Sequence, residues 1–395
     1  MSDTPKPLAG VRVLDLSRVL AGPWSGQLLA DYGADVIKVE RPESGDDTRE
    51  WGPPWWGEPG DRMSAYYLSA NRGKRSIAID IASADGAALV KRIARHADVL
   101  IENYKVGQLA KYGLDPATLR ELNPRLIYCS ITGYGQDGPY AAAAGYDFAI
   151  QATGGLMSVT GEKDGLPGAG PQKVGVAVAD LCTGLYATTA ILAALQERHR
   201  TGKGRWIDAA LLDAQLAMLA NQASNYLVGG KAPKRMGNAH VNVVPYQVFE
   251  TKDGHIVLAV GNDGQFQRFC KLAGREAVGN EAKYATNALR IQHRDELAAL
   301  IAQWMLERTT GEWTALLEPN AVPCAPILEL PEVFEHPQVV ARGMRIHNGG
   351  MPMVASPMRL DGQRAVSTAP APRLDEHGAA IRAALARGID WPDAE

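Results

Sequence analysis

The sequence has little of what builds metal or disulfide sites. Its four cysteines are widely spaced over 395 residues and form no CxxC pair. There is also no HxxxH pair or carboxylate cluster, so we expect neither a zinc site nor a disulfide framework, and no metal. The first ten residues, MSDTPKPLAG, lack the apolar core of a signal peptide. Reduced thiols without a leader predict a cytoplasmic protein.

An excess of charge of one sign is absent too. Lysine and arginine total 41 against 44 acidic residues, for a net charge of −3. This balance argues against nucleic acid or an anionic membrane as a partner. The long apolar run from Val174 to Leu195 could span a bilayer by length, but Asp180 and many small residues favour a buried helix instead. We expect no membrane partner.

Strand and helix patterns alternate along the first part of the chain. Buried strands are predicted at Val11–Leu16, Asp35–Glu40, Ser76–Ile81, Ala97–Glu102 and Arg125–Thr132. Helical patterns lie between them, and two long ones follow at about 177–200 and 209–228. Strands that alternate with helices predict an α/β domain with a mostly parallel sheet.

The pattern changes near Gly229, and 395 residues are more than one core usually holds. A hairpin with a turn at Asp253-Gly254 is followed by helices at about 264–273 and 294–307, which predicts a smaller α+β domain. After about Leu330 the chain is rich in proline and glycine and ends in a polar helix. We therefore divide the chain at 1–228, 229–330 and 331–395.

Asp180 is the only charged residue between Lys173 and Glu197. A lone carboxylate in an apolar segment is costly unless it is paired or used, and a helix cap or a satisfied buried acid is the ordinary explanation. Small neighbours and a place near a helix N-terminus, however, fit a nucleophile that is desolvated yet ionised at neutral pH. Cys182 is the rival nucleophile, although a buried structural thiol is the better interpretation.

Two glycine-bearing loops carry weaker signals. GYGQDG (residues 133–138) matches G-x-G-x-x-G after a strand, but it lacks the helix that a dinucleotide site needs, and its backbone N–H groups could instead bind an acyl oxygen or phosphate. NRGKRS (residues 71–76) places Arg72 and Lys74 before a strand. The loop is either solvated or binds a phosphorylated ligand together with Arg41, Lys105 and Lys111.

The ordered motifs of the chain resemble a known family nearly end to end. VLDLSRVLAGPWSGQLLADYGADVIKVERPESGDDTR, NRGKRSIAIDI, ADVLIENYKVGQLAKYGL, LNPRLIYCSITGYGQDGPY, AGYD, ADLCTGLYA and TGKGRWIDAALLDA are similar to segments of the class III coenzyme A (CoA) transferases, the CaiB/BaiF family. GDDTREWGPPW, YYLSANR, NYLVGG, RMGNAH and VPYQVFETKDG most resemble the branch that moves CoA from succinyl-CoA to glutarate and related dicarboxylates.

The resemblance implies a fold, an assembly and a chemistry. The large domain would be Rossmann-like, with 331–395 returning to 1–228, and two chains would form an interlocked homodimer. Asp180 would be the nucleophile that forms an anhydride and then an aspartyl-CoA thioester. The acyl-CoA is a substrate, and no tightly bound cofactor is expected.

Further residues carry over from the family's motifs as expectations. Asp147 matches an acid close to the nucleophile, and Arg41 a residue at the nucleotide end of CoA. Lys111 stands where relatives often have arginine, which keeps a phosphate contact without bidentate geometry. The remaining positions expected to line the CoA site are Val19, Ala21, Asn103 and Tyr104. A dicarboxylate acceptor also needs a cation for its distal carboxylate, and Arg235, Arg72 and His240 are candidates because they lie in glycine-bearing motif loops, not because they match a family residue.

Departures from the family's subgroups narrow the function. Residues 239–244 read AHVNVV, without the glycine run of oxalate-handling members, and Leu20 replaces a polar residue of that subgroup. The α-methylacyl-CoA racemases of the family need a histidine at the position of Tyr146, which is a poor base at neutral pH and would here line the substrate site. A racemase and a non-catalytic CoA-binding protein remain the alternatives to CoA transfer.

Overall fold

The computed structural model describes residues 6–392, so residues 1–5 and 393–395 of the predicted domain ranges lie outside the described residues. The chain divides into two compact units. The large unit comprises the described residues of Met1–Leu156, Val174–Gly230 and Pro337–Glu395, and the small unit comprises Met157–Lys173 and Lys231–His336. Residues 157–173, which we had included in the large domain, therefore fall in the small unit.

A six-stranded parallel sheet organises the large unit. Its strands are β1 (Arg12–Asp15), β2 (Asp35–Glu40), β3 (Lys74–Ala78), β4 (Val99–Glu102), β5 (Ile127–Thr132) and β6 (Trp206–Ala210). They lie in the order β3-β2-β1-β4-β5-β6. This is the 3-2-1-4-5-6 order of a Rossmann fold, whose ligands bind where the order reverses. The predicted α/β fold is confirmed, although β6 was missed within a predicted loop and helix.

Both faces of the sheet are covered, because side chains alternate along each strand. Leu14, Ile37 and Leu100 face one core cluster, which also contains Ile381 and Leu385 of the C-terminal helix. The intervening strand residues face a second cluster with the long helix Val178–Thr201. The large-unit helices are Ala21–Asp31, Ala65–Ala70, Ala84–Ala94, Pro116–Leu122, Asp147–Thr153, Val178–Thr201, Leu211–Met218, Ala220–Gly229, Pro337–Ala341 and Gly378–Ala386, with 3₁₀ turns at Asp47–Glu50 and Leu109–Tyr112.

Within residues 6–392, one helix is long and apolar enough to cross a membrane by length and composition. It is Val178–Thr201, with a mean hydropathy of 1.6 in its most apolar window. Ala179, Ala187 and Ile191 of this helix are buried in the core beside the sheet. A core helix of a soluble protein meets the same criterion.

The small unit is α+β, as predicted. Its antiparallel sheet contains Tyr246–Glu250, His255–Ala259 and Cys324–Pro326, and the backbone N–H of Thr251 donates to Gly254 across the expected turn. The helices of this unit are Asp263–Leu272, Glu276–Gly279, Asn287–Gln292, Arg294–Met305, Thr310–Leu317 and Leu330–Glu335, with 3₁₀ turns at Ala282–Tyr284 and Glu318–Asn320. The short helix Leu156–Val159 begins at the boundary of the units. Short strand pairs in the large unit join Trp55–Trp56 with Met63–Ser64, Arg345–Asn348 with Met351–Val354, and Arg359–Leu360 with Gln363–Arg364.

Candidate active site

A cavity of about 420 Å³ opens in the large unit, beyond the carboxyl ends of β1, β4 and β5. This is the edge of the sheet at which Rossmann-like folds bind ligands. Six residues predicted for the site share its wall: Val19, Ala21, Asn103, Tyr104, Tyr146 and Asp180. The structure thus brings together positions that are up to 161 residues apart in the sequence.

Asp180 lies in the first turn of the helix Val178–Thr201, where its half-buried carboxyl group faces the cavity. The N-cap residue Ala177 has no side-chain oxygen to bind the free backbone N–H groups there. Asp147 takes over this role, since its Oδ1 accepts the N–H of Ala179 at 2.8 Å and that of Asp180 at 3.4 Å. The second acid therefore fixes the backbone that carries the first.

Asp147 is itself positioned by a close approach of two glycines. A Cβ added to Gly133 would lie 2.4 Å from the Cα of Gly145, so only glycine lets the end of β5 meet the loop before Asp147. Gln151 then donates to Oδ2 of Asp147 at 2.7 Å. These contacts explain why the acid of AGYD reaches a helix that begins 31 residues later.

Burial, and then the charge of Asp147, raises the pKa of Asp180 to about 7. Among residues 6–392, no cation contributes to this pKa, so no opposite charge offsets the cost of removing the carboxylate from water. The sequence predicts a nucleophile that is ionised at neutral pH. The structure instead gives an acid that is about half ionised there, because its burial, and then the charge of Asp147, oppose ionisation.

Small residues beyond Asp180 let another helix approach. A Cβ on Gly184 would lie 2.7 Å from the carbonyl oxygen of Ala21 and 3.1 Å from the ring of Trp24. The helix Ala21–Asp31, whose first residue lines the cavity, can therefore pack directly on the helix of Asp180. The small residue at position 184 thus brings the backbone of one helix against the helix that carries the reactive acid.

Cys182 is poorly suited to be the nucleophile. Its Sγ lies 3.1 Å from the Sδ of Met218, and burial raises the pKa of the thiol above its usual value. A thiol with a raised pKa carries little of the thiolate that attacks. It is also not among the residues that line the cavity.

Two aromatic side chains near the reactive acids, Tyr66 and Trp51, were not predicted from the sequence. Burial and the charges of Asp180 and Asp147 raise the pKa of Tyr66 to about 12, so its hydroxyl stays protonated near the two acids. Its ring meets that of Trp51, a cavity residue, edge-on at 5.0 Å. The only hint was YYLSANR, a motif that carried the resemblance without assigning Tyr66 a role.

A carboxylate organises two arginines beside the cavity. Asp47 accepts from Arg18 at 2.8 Å and from Arg41 at 2.6 Å, and both Arg18 and Asp47 line the cavity. The guanidinium carbon of Arg18 also lies 5.5 Å from the ring centre of Tyr104, in the range of cation–π contact. With the exposed Lys105, this wall carries the positive charge that a phosphorylated ligand needs.

Arg72 and Lys74, predicted as ligand-binding cations, are buried in ion pairs. Arg72 binds Asp31 through two hydrogen bonds of 2.9 and 2.6 Å, and Lys74 binds Asp15 at 2.9 Å. Because both charges are paired with buried carboxylates inside the large unit, neither side chain is free to bind a ligand. Lys111 is exposed, but it is not among the residues that line the cavity.

The two remaining candidates lie in the small unit. Arg235 forms an ion pair with Asp164, and its Nε is buried without a hydrogen-bond partner among the described residues. The Nδ1 of His240 accepts the backbone N–H of Asn242 at 3.1 Å, and its ring centre lies 5.2 Å from that of Tyr246. Arg235 and His240 are the first and last residues of the segment RMGNAH.

The GYGQDG loop uses its backbone donors internally. The N–H of Gly135 donates to Thr132, and that of Gln136 donates to Asp208 at 2.9 Å. These two groups are therefore not free to bind an acyl oxygen or phosphate. Among residues 6–392, no group of three or more His, Cys, Asp or Glu side chains could hold a metal ion.

Comparison with known proteins identifies the family. The model of CoA-transferase family III matches residues 8–378. The succinate–glutarate CoA-transferase of Agrobacterium fabrum is 51% identical, over 98% of each chain. The human succinyl-CoA:glutarate CoA-transferase is 48% identical, over 86% of this chain and 76% of its own.

Solved structures agree. A CaiB/BaiF family protein from Brucella suis superposes with a TM-score of 0.87 at 50% identity, covering 97% of this chain and all of its own. Rv3272 from Mycobacterium tuberculosis superposes at 0.84 with 31% identity, covering 95% of this chain and 99% of its own. The chain belongs to CoA-transferase family III.

Proposed function

We propose that this protein transfers CoA from succinyl-CoA to glutarate, with Asp180 as the nucleophile. The observation that carries the proposal is a carboxyl group without a cation, in the wall of a cavity at the ligand-binding edge of the sheet. The choice of substrates is supported by relatives that are 51% and 48% identical and are named for this exchange.

The reaction runs through two anhydrides and one thioester. The Asp180 carboxylate attacks the thioester carbonyl of succinyl-CoA and expels CoA thiolate, which leaves a mixed anhydride. The thiolate then attacks the aspartyl carbonyl, releasing succinate and forming an aspartyl-CoA thioester. Glutarate attacks that thioester and expels the thiolate again, and the thiolate takes the glutaryl group to give glutaryl-CoA and free Asp180. Each step exchanges one leaving group, which is what covalent catalysis provides.

The surrounding residues would divide the binding of CoA. Val19, Ala21, Asn103 and Tyr104 form the wall for the extended part of CoA. Arg18, Lys105 and, beside them, Arg41 supply the positive charge for its phosphates. Tyr66, protonated at neutral pH, would donate a hydrogen bond to the oxygens of the acyl group at Asp180.

The far carboxylate of glutarate needs a cation. Arg72 is buried in an ion pair with Asp31. Arg235 and His240 are proposed as the ligands because both lie in RMGNAH, a glycine-bearing segment that resembles the branch acting on glutarate. Replacement of the responsible residue by alanine should raise the KM for glutarate and leave the KM for succinyl-CoA unchanged. An unaltered glutarate KM in both variants would remove the pair from the acceptor site.

A homodimer is part of the proposal. The helix Ala220–Gly229 exposes Tyr226, Leu227 and Val228 at 51%, 78% and 90%, an apolar surface that a second copy would cover. The interlocked arrangement is proposed from the family resemblance. Light scattering should give twice the chain mass of 42.4 kDa, and the monomer mass at micromolar concentration would contradict the dimer.

Trapping tests the covalent step. The enzyme is incubated with succinyl-CoA, treated with hydroxylamine, and digested for mass spectrometry, with a Cys182→Ala variant as the matched control. We expect a hydroxamate at Asp180 in both proteins and none in Asp180→Asn. A label on Cys182, or active enzyme without any label at Asp180, would refute the mechanism.

A further inference from the structure

The turn after β1 is strained where it meets the cavity. Val19 lines the cavity with a φ of +70°, in the left-handed region. A β-branched side chain is disfavoured there, and such a conformation persists only when its surroundings hold it. The turn leads directly into the helix Ala21–Asp31, which packs on the helix of Asp180.

Hydrogen bonds from the ends of two other strands hold this turn. The side-chain amide of Asn103, after β4, accepts the N–H of Arg18 at 2.9 Å and donates to its carbonyl at 2.7 Å. The Oδ1 of Asp46, after β2, accepts the N–H of Val19 at 3.2 Å. Asp46 is therefore the side chain that binds the strained residue itself.

Asp46 belongs to a buried ion pair. Its Oδ2 lies 2.9 Å from the Nζ of Lys38, and both side chains are fully buried. The same Nζ donates to the carbonyl of Ser17 at 2.8 Å, so Lys38 holds the residue two positions before Val19. Burial opposes ionisation of Asp46, but Lys38 and hydrogen bonds from Thr48 outweigh it and lower its pKa to about 2.

We infer that the side-chain oxygen of Asp46 is a positioning group that holds Val19 in its strained conformation and so shapes the CoA cavity. The inference rests on the proposed function, because it assigns that cavity to CoA. Neither Asp46 nor its ion-pair partner Lys38 lines the cavity, so Asp46 acts through the turn. Without the acceptor on Asp46, Val19 would relax to negative φ and carry the peptide groups of the cavity wall with it.

Two double variants distinguish the hydrogen bond that Asp46 accepts from Val19 from the charges of Lys38 and Asp46. Lys38→Met/Asp46→Asn removes both charges but keeps an amide oxygen for the N–H groups of Val19 and Thr48. Lys38→Met/Asp46→Ala removes the same charges and also the acceptor. Removing both charges avoids leaving one charge buried without its partner, and urea unfolding checks that each protein folds.

The hydrogen-bond acceptor at position 46 should decide the activity of these variants. We expect the asparagine variant to stay within a few-fold of the wild-type kcat/KM for succinyl-CoA. The alanine variant should lose about 5- to 30-fold, the ratio that the strain of a left-handed L-residue implies. The loss should fall on the KM for succinyl-CoA, with that for glutarate unchanged.

A third substitution tests whether strain is the reason. Glycine adopts φ of +70° without strain, so within a Val19→Gly background the two double variants should have nearly equal kcat/KM. Equal activity in the valine background, or an undiminished gap in the glycine background, would overturn the inference. If wild-type protein failed to transfer CoA at all, the proposed function would fall, and direct CoA binding by the same variants would still test the turn.

Discussion

The carboxyl pair of Asp147 and Asp180 makes a sharp prediction about pH. Asp147→Asn removes the negative charge beside Asp180 and keeps an oxygen to accept the N–H of Ala179. The pKa of Asp180 should then fall, because one of the two causes of its rise has been removed. Since only the ionised carboxyl attacks, the acid limb of kcat/KM should move to lower pH.

The expected decrease in the pKa of Asp180 can be bounded from the two causes that raise it, burial and the charge of Asp147. The pKa of Asp180 increases from 3.8 to about 7, and burial contributes more than Asp147 does. Asp147 therefore accounts for less than half of the increase, and its removal should lower the pKa by up to about 1.5, or about 2 kcal/mol. At pH 6 the ionised fraction of Asp180 would rise from about one tenth to about three quarters.

The assay is the pH dependence of kcat/KM for succinyl-CoA, with glutarate saturating, for wild-type protein and Asp147→Asn. The absolute rate of the variant will also reflect a donor clash, since the new amide faces the Nε2 of Gln151. The position of the limb is independent of that loss. An acid limb that stays near pH 7, or moves up, would refute the electrostatic coupling of the two acids.

Three other substitutions test the structure at separate points. Asp180→Asn should abolish transfer yet stabilise the fold at pH 8 by up to about 4 kcal/mol, and hardly at all at pH 4. The reason is that a carboxyl whose folded pKa exceeds its unfolded value loses its stabilisation as the pH rises through the folded pKa. Equal urea midpoints of variant and wild type at pH 8 would contradict this. Lys74→Met should lower the free energy of unfolding by about 3–5 kcal/mol, because it leaves Asp15 buried without its ion-pair partner. The control Lys111→Met, at an exposed position, should change the free energy of unfolding very little. Equal losses in the two variants would place Lys74 at the surface. Gly184→Val should destabilise the protein by about 1–3 kcal/mol through overlap with Ala21, while Gly175→Ala, where an added Cβ meets nothing within 4 Å, should be tolerated.

The fold was largely predictable because its central strands are buried on both faces. Apolar residues recur along them, as in VLIE of β4, and their alternation with helical patterns revealed β1 to β5 even where charged residues interrupt a strand, as in DVIKVE of β2. β6 was missed because its sequence, WIDAA, contains an acid and its residues are largely exposed or half-buried. The predicted helix over 209–228 is two helices, because the backbone at Ala220 has a φ of +41°. This break was missed because neither glycine nor proline stands there.

The site was predictable only where a signal lay within one segment. Asp180 was visible as a lone charge in an apolar tract, whereas Asp147 and the CoA wall came from resemblance. Arg72 and Lys74 were misplaced because their partners, Asp31 and Asp15, are 41 and 59 residues away. Nothing local distinguishes a cation that meets a buried acid from one that meets a phosphate.

Three fully buried acids of the large unit differ from Asp180 in the charge of their neighbours. Asp15, Asp31 and Asp46 are fully buried, and each has a lysine or arginine within 3 Å. Asp180 is less buried, but its charged neighbour is another acid. Pairing it with a cation would stabilise the fold and hold its electrons in an ion pair, which would weaken it as a nucleophile. In the part of the chain that the structure describes, residues 6–392, no cation contributes to the pKa of Asp180, so its ionised carboxylate is not held in an ion pair and remains available as the nucleophile.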